Sequence, residues 1–403
     1  MRVTTLSTIL VTLILYHEVF AETQSPYKHL VEANLDFCLQ VYKELVKKNG
    51  YQNNVVFSPF SIYSVLLMTE LGSGSYTTQE ICQILHICHV NITQIHQAFG
   101  QIINELLSDR SVRESLAVAN KLYIQKGLEI SKFYQMALKY YYNTTVKEVD
   151  FQNDAHGARE IINNWVHEQT SGQILHFLPK LLPQTTQIMT VNALYFNSEW
   201  LWKFDPAMTE PKARFYVTPH FHASVPMMVA KLHLAHGHSP GMEASILELP
   251  FKSNRISLFL VLPDQLEGLL NLQKKLNSTT MKQLISTMKK KDVNVRVPKF
   301  TVESQPSIAN VLRNLGVNSL FSPSSADLRG ITPHHQLHMT DMMHRVVIQL
   351  EERGSIATAA TAMIVERIGS FNGQFFEADH PFLFFIMDKQ SGLVLFMGRI
   401  AGP

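Results

Sequence analysis

The sequence predicts one domain of mixed α and β structure, and three observations carry that prediction. Near the N-terminus Val31, Leu35, Cys38, Tyr42 and Leu45 recur at steps of four, three, four and three, the apolar stripe of an amphipathic helix. Further on, Ile246-Leu247-Glu248-Leu249-Pro250-Phe251 and the run from Ile256 to Pro263 read as buried strands joined by a polar turn. Finally, no internal repeat, low-complexity linker or domain boundary interrupts the chain. Its 403 residues would by length alone suggest two or three domains, but single folds of this size exist. A hydrophobic content of 46% with 17% charged residues describes a globular chain with a large core. The net charge of +2 gives no electrostatic argument for nucleic acid or membrane.

The first residues read as an address. Arg2 precedes an apolar core from Leu6 to Leu15, and Val19-Phe20-Ala21 places small residues at the cleavage positions. The expected division is a signal peptide over 1–21 and a secreted mature domain over 22–403. No later apolar run is long enough to span a bilayer, and Ala401-Gly402-Pro403 is not a retention signal. Three sequons fit a secretory route, at Asn91, Asn143 and Asn277. The cysteines are Cys38, Cys82 and Cys88, an odd number that permits one disulfide and leaves one thiol. Their pairing is open at this level.

In chain order, the first helix is expected over about 27–48, with Asn49-Gly50 as its stop. Ser58 and Ser61 then stand inside the apolar stretch Asn54 to Ile62, so their hydroxyls need partners if buried. Val191 to Phe196 alternates as a strand, and Thr340 to Glu352 reads as another. That last strand leads into an unusual segment. After Glu352-Arg353-Gly354 come eleven residues, Ser355 to Val365, with no charge, proline or further glycine. Thr, Ile and Val make it a poor helix. Extended, it divides into one face with Ser355, Ala357, Ala359, Thr361, Met363 and Val365 and another with Ile356, Thr358, Ala360, Ala362 and Ile364. Left exposed, such a segment is an aggregation hazard, so a protein that keeps one uses it. Glu366-Arg367-Ile368-Gly369 reads as an exposed loop tip.

Two chemical motifs are set aside. Gly237-His238-Ser239-Pro240-Gly241 matches the G-x-S-x-G nucleophile elbow, but the residue after its serine is proline and has no N–H for an oxyanion. It is taken as a loop. Eighteen histidines raise a metal question, notably His220, His222, His233, His236 and His238, and Cys82, His86, Cys88 and His89. Neither group has the paired spacing of a structural zinc site, so surface histidine is the expectation and no metal or cofactor is assigned.

The segment from Glu352 resembles the reactive-centre loop hinge of the serpins, the serine protease inhibitor family. The likeness rests on Glu352, Gly354, Ser355 and the Ala/Thr run to Ala362, which includes Ala357, Ala359 and Thr361. It extends to Ala378-Asp379-His380-Pro381-Phe382 and Leu395 to Ile400, and to Asn163, Trp165, Thr170, Gly172, Trp200 and Phe204. Asn54 to Ile62 resembles the family's "shutter", and the likeness makes Asn192 and His344 partners of Ser58 and Ser61. Arg345 stands where the family has lysine. The fold so implied is α+β, one domain with helices on a large central mixed sheet, two smaller sheets, and an exposed loop over about 353–378.

What the resemblance implies is a monomeric, extracellular, single-use inhibitor of serine proteases that supplies no catalytic group. A protease attacks the loop tip, forms an acyl-enzyme, and is trapped when the freed segment inserts into the sheet. Family spacing from Glu352 places the reactive bond at Ile368–Gly369, suiting an elastase-like pocket. A loop one residue shorter places it at Arg367–Ile368, suiting a trypsin-like one, and this is the favoured choice. The alternative is a non-inhibitory serpin acting as carrier, chaperone or storage protein, kept open by Arg353 and by Ile356 where glutamate is usual. Some serpins bind heparin-like polysaccharide through a basic helix, and Lys274, Lys275, Lys282, Lys289, Lys290 and Lys291 are the candidates here, weighed against an ordinary solvated face.

Overall fold

The computed structural model describes residues 26–47, 53–352 and 373–402. The described residues open with helix α1 (residues 26–47), strand β1 (Val55–Phe57) and helices α2 (Pro59–Glu70), α3 (Ser75–Ile84), α4 (Ile92–Ser108) and α5 (Arg110–Arg113). Next come β2 (Leu116–Gln125), α6 (Lys132–Tyr142), β3 (Val146–Val149), α7 (Ala155–Gln169) and β4 (Ile188–Phe196). The middle of the chain supplies β5 (Glu210–Thr218), β6 (Phe221–Ser239), β7 (Ala244–Pro250), β8 (Ile256–Pro263), α8 (Leu269–Lys275) and α9 (Ser278–Ser286). The last part is β9 (Lys289–Pro298), β10 (Phe300–Ser304), α10 (Ile308–Asn314), β11 (Met339–Leu350), β12 (Gln374–Glu377), β13 (Phe382–Asp388) and β14 (Val394–Ile400).

Local chemistry accounts for the elements that matter most. On α1, Cys38, Tyr42 and Leu45 are buried, while Val31 and Leu35 are only half-buried; Leu30, Phe37 and Val41 complete the inner face. Helix α2 starts where Ser58 caps it, its side chain accepting from Ser61 N–H, with Pro59 at the first turn. All of its residues are buried, so this helix is the central post of the core.

Five strands form one mixed sheet in the order β10-β11-β4-β2-β3. Within it β11 runs parallel to β4 from Met339 to Ile348, while β10–β11 and β2–β4 are antiparallel. The α+β fold class is as expected. The two smaller sheets, however, are one hydrogen-bonded sheet of nine strands. The cause is β6, whose 19 residues pair with β5 at one end, with β9 through the middle, and with β7 at the other end. A second core lies on the other face of the five-stranded sheet. There Ile162 and Val166 of α7, with Ile174, Phe177 and Leu178 just after it, cover Tyr123 of β2 and Met189, Val191 and Ala193 of β4.

Gly237 to Ser239 end β6, and Pro240 to Glu243 turn into β7, so the G-x-S-x-G match is a hairpin rather than a free loop. Among the histidines, His220 and His222 are exposed, while His233 and His238 meet Asp292 (2.9 Å) and Asp264 (3.0 Å). His236 departs from the surface expectation: it is buried against Phe376, and burial lowers its imidazole to about 4.

Candidate functional site

The parallel pair β11 and β4 is the seam from which the segment at Glu352 leaves. Ser58, Ser61, Asn192 and His344 meet there in one buried network. Ser58 N–H donates to His344 Nε2 (3.1 Å), which makes that nitrogen an acceptor. The opposite nitrogen, Nδ1, therefore carries the proton and donates to Asn192 Oδ1. Asn192 Nδ2 in turn donates to Ser61 Oγ (2.5 Å) and to Asn120 Oδ1 (3.0 Å), and Ser61 Oγ donates to Asn120 Oδ1 (2.6 Å). Ser58 Oγ closes the network by donating to Leu395 O (2.7 Å) and accepting from Ser61 N–H (3.1 Å). His344 lies opposite Asn192 across the seam, and Asn192 opposite Asn120 on β2. Three strands are thus tied to the N-terminus of α2. Burial lowers the His344 imidazole to about 3, which keeps it neutral and preserves this pattern.

Asn120 was not singled out by the sequence reading. Its signal was a lone amide among the inward positions Leu116, Val118, Leu122 and Ile124 of an apolar strand.

Where β11 ends, a second set of contacts holds the chain. Trp200, stacked on Phe251 at 4.6 Å between ring centres, donates its Nε1–H to Glu351 O (2.8 Å). Glu352 receives Thr209 Oγ1 (2.8 Å) and the Lys299 ammonium (2.6 Å). Burial opposes ionisation of Glu352, but Lys299 together with a backbone N–H and Thr209 outweighs it, leaving the carboxyl below its usual range. Toward α7, Arg345 on β11 reaches Glu303 of β10 (2.6 Å). It also donates to Leu175 O (3.0 Å) and His176 O (3.1 Å) in the covering segment.

Of the hinge residues only Glu352 is described; Gly354, Ser355, Ala357, Ala359 and Thr361 lie outside the described residues, as do Arg367, Ile368 and Gly369. The expected loop boundary near 378 needs correction. Residues 374–377 are strand β12, paired parallel with Val293 to Arg296 of β9, so the expected loop would end before Gln374.

Asn91, Asn143 and Asn277 are all exposed at helix ends, Asn91 and Asn277 as N-caps and Asn143 as a left-handed C-cap. Cys82 bonds to Cys88, and the Cys38 thiol is buried. The lysines do not share one helix. Lys274 and Lys275 are on α8, Lys282 on α9, and Lys289, Lys290 and Lys291 on β9. Lys275 and Lys282 are already paired, with Glu243 (2.7 Å) and Glu32 (2.9 Å).

The profile of the family described as serpin (serine protease inhibitor) matches residues 32–403. The chain belongs to the serpin family. Serpin B4 of Homo sapiens is 31% identical over 392 residues, covering 93% of this chain and 99% of its own length. Leukocyte elastase inhibitor of Homo sapiens is 32% identical over 386 residues, covering 93% and 100%. Among solved structures, uncleaved ovalbumin superposes with a TM-score of 0.84 at 28% identity, over 93% of this chain and 100% of its own.

Proposed function

We propose that this serpin is a secreted inhibitor of serine proteases that acts once per molecule. The observation that carries the reading is the seam itself. Strands β11 and β4 are parallel neighbours, so a segment turning back from Glu352 would run antiparallel to both and could enter between them. The small residues Ser355, Ala357, Ala359 and Thr361 are the ones that such a gap accepts. The relatives include a protein named as an elastase inhibitor.

In this reading the serine Oγ of the protease attacks the carbonyl at the loop tip. The peptide C–N bond breaks, the leaving amine takes its proton from the histidine of the protease, and an ester joins the two proteins. About fifteen inserted residues at about 3.3 Å each then carry the protease roughly 50 Å before water reaches the ester. The serpin contributes no catalytic group. Arg367 favours a trypsin-like target, with Ile368–Gly369 and an elastase-like target as the second choice. Residues 1–21 are the signal peptide, the sequons carry glycans, and the inhibitor is a monomer. Polysaccharide contact falls to Lys274 and to the strand end Lys289, Lys290 and Lys291, which among the described residues lack the carboxylate partners that Lys275 and Lys282 have.

The test is incubation with a panel of serine proteases, followed by boiling in SDS and sequencing of the new N-terminus. A surviving complex and a sequence starting at Ile368 support the reading in full. One starting at Gly369 supports inhibition with the elastase-like choice. Cleavage without a complex overturns inhibition in favour of a carrier, chaperone or storage role.

A further inference from the structure

The four most exposed large apolar side chains among the described residues are Phe133 (78%), Tyr76 (76%), Tyr140 (74%) and Met136 (71%), and three of them belong to α6. Phe133, Met136 and Tyr140 are spaced i, i+3, i+7 and so form one stripe along the outer side of that helix. The inner side is fixed. Tyr134, Leu138 and Tyr142 are buried, Tyr134 OH donates to Met68 O (2.9 Å), and Tyr142 OH meets His96 Nδ1 (2.6 Å). The stripe is therefore held outward by a rigid base rather than left over from a poorly packed helix. Helices α3 and α6 both start against Ile331. That residue packs on Gly72 just before α3, and its carbonyl accepts from Ser131 N–H (2.8 Å) just before α6.

On α6 itself the charges have one sign, although the exposed Glu129 stands three residues before Lys132. Lys132 and Lys139 are exposed on α6, and the helix has no acidic residue. Lys139 donates to Asn143 Oδ1 (2.6 Å) rather than to a carboxylate. Among the described residues Lys47, Lys252, Lys275, Lys282, Lys299 and Lys389 each have a carboxylate partner, but Lys132 and Lys139 have none.

We propose that this face of α6 docks on an anionic phospholipid surface. Phe133 and Met136 enter the boundary of the acyl chains, Tyr140 keeps its hydroxyl at the headgroup level, and the two lysines meet the phosphates and carboxylates of the lipid. A second copy of the chain fits less well. A stable protein interface removes about 800 Å² per partner, and the three α6 side chains supply roughly half of that. The overall charge of +2 hides this patch because it averages over the whole surface. The inference is independent of protease trapping and is measured without a protease.

The test sediments the full chain, glycans in place because Asn143 ends the same helix, with vesicles of phosphatidylserine and phosphatidylcholine or of phosphatidylcholine alone. Binding is expected on the anionic vesicles and to weaken in high salt. The Phe133→Ser/Met136→Ser/Tyr140→Ser variant should lose roughly tenfold in partitioning, and Lys132→Gln/Lys139→Gln should lose the preference for anionic lipid. All five positions are exposed, so unchanged thermal unfolding confirms the fold in each variant. Equal sedimentation with neutral vesicles, or undiminished binding of the triple serine variant, would overturn the proposal. So would a dimer in solution that the triple variant abolishes.

Discussion

His344 carries the seam's pH dependence, because its only polar neighbours in the network are uncharged serines and asparagines and a backbone N–H. The folded chain holds its imidazole at about 3, against 6.5 for the free group. The contribution is therefore complete above the unfolded value and is lost as pH falls below it, where only the unfolded chain takes up the proton. This one group supplies a slope of up to about 1.4 kcal/mol per pH unit. Thermal unfolding followed from about pH 7 down to about pH 4.5 should show that decline, and His344→Gln should reduce its slope, leaving the part that the buried His236 contributes. A variant with an undiminished slope would place the titration elsewhere. Asn120 offers a second test. Asn120→Ala leaves the Ser61 hydroxyl and one Asn192 N–H without an acceptor, which costs about 1–3 kcal/mol and lowers the unfolding midpoint. Ser58 and Ser61 were legible as buried hydroxyls in need of partners. Asn120 was not, because a single amide in a strand carries no spacing that ties it to a residue 59 positions away.

At the scale of elements, β11 is gripped from both sides of the sheet. Its inner face meets α2 through the network, and Arg345 straps it to Leu175 and His176. Met343 and Val347 pack under the same cover. A strand entering between β11 and β4 has to lift that cover. Arginine can hold two carbonyls and Glu303 together because its donors form a planar fork, whereas lysine offers one nitrogen. Arg345→Lys should therefore speed insertion, seen as fewer inhibitor molecules cleaved per trapped protease. An unchanged or higher ratio would mean that the strap does not slow insertion. Conversely Thr361→Arg, on the face expected to turn inward, should convert inhibitor to substrate, since burying an unpaired guanidinium costs several kcal/mol. Near one-to-one trapping by that variant would reverse the assignment of faces. The strand β11 was expected from the family likeness, which has Thr340 to Glu352 entering the hinge as a strand, but the carbonyls that Arg345 meets were not. The carbonyls that receive Arg345 lie 170 and 169 residues away and belong to backbone, which leaves no mark in side-chain pattern.

Over the whole molecule, periodicity marked single helices and strands, and the α+β class followed from the family likeness that ran in order along the chain. The fusion of the smaller sheets did not follow, since it depends on where along its length β6 changes partner. The intact chain has an arrangement that the inserted segment would improve. Its β11–β4 seam is parallel, and parallel pairing is slightly weaker per residue than antiparallel. A segment from 354 onward would replace that single parallel ladder by two antiparallel ones. About ten extra backbone hydrogen bonds, each worth a net of about 1 kcal/mol, would add on the order of 10 kcal/mol. A shift of that size corresponds to a rise in Tm of about ten degrees or more in a chain this long. Nicking the loop with a protease that leaves no complex, then melting the nicked chain, measures the gain directly. The nicked chain should melt well above the intact one, and Thr361→Arg should remove most of the difference. A nicked chain that melts at or below the intact temperature would mean that the segment stays out of the sheet, and trapping of proteases would then have no structural motor.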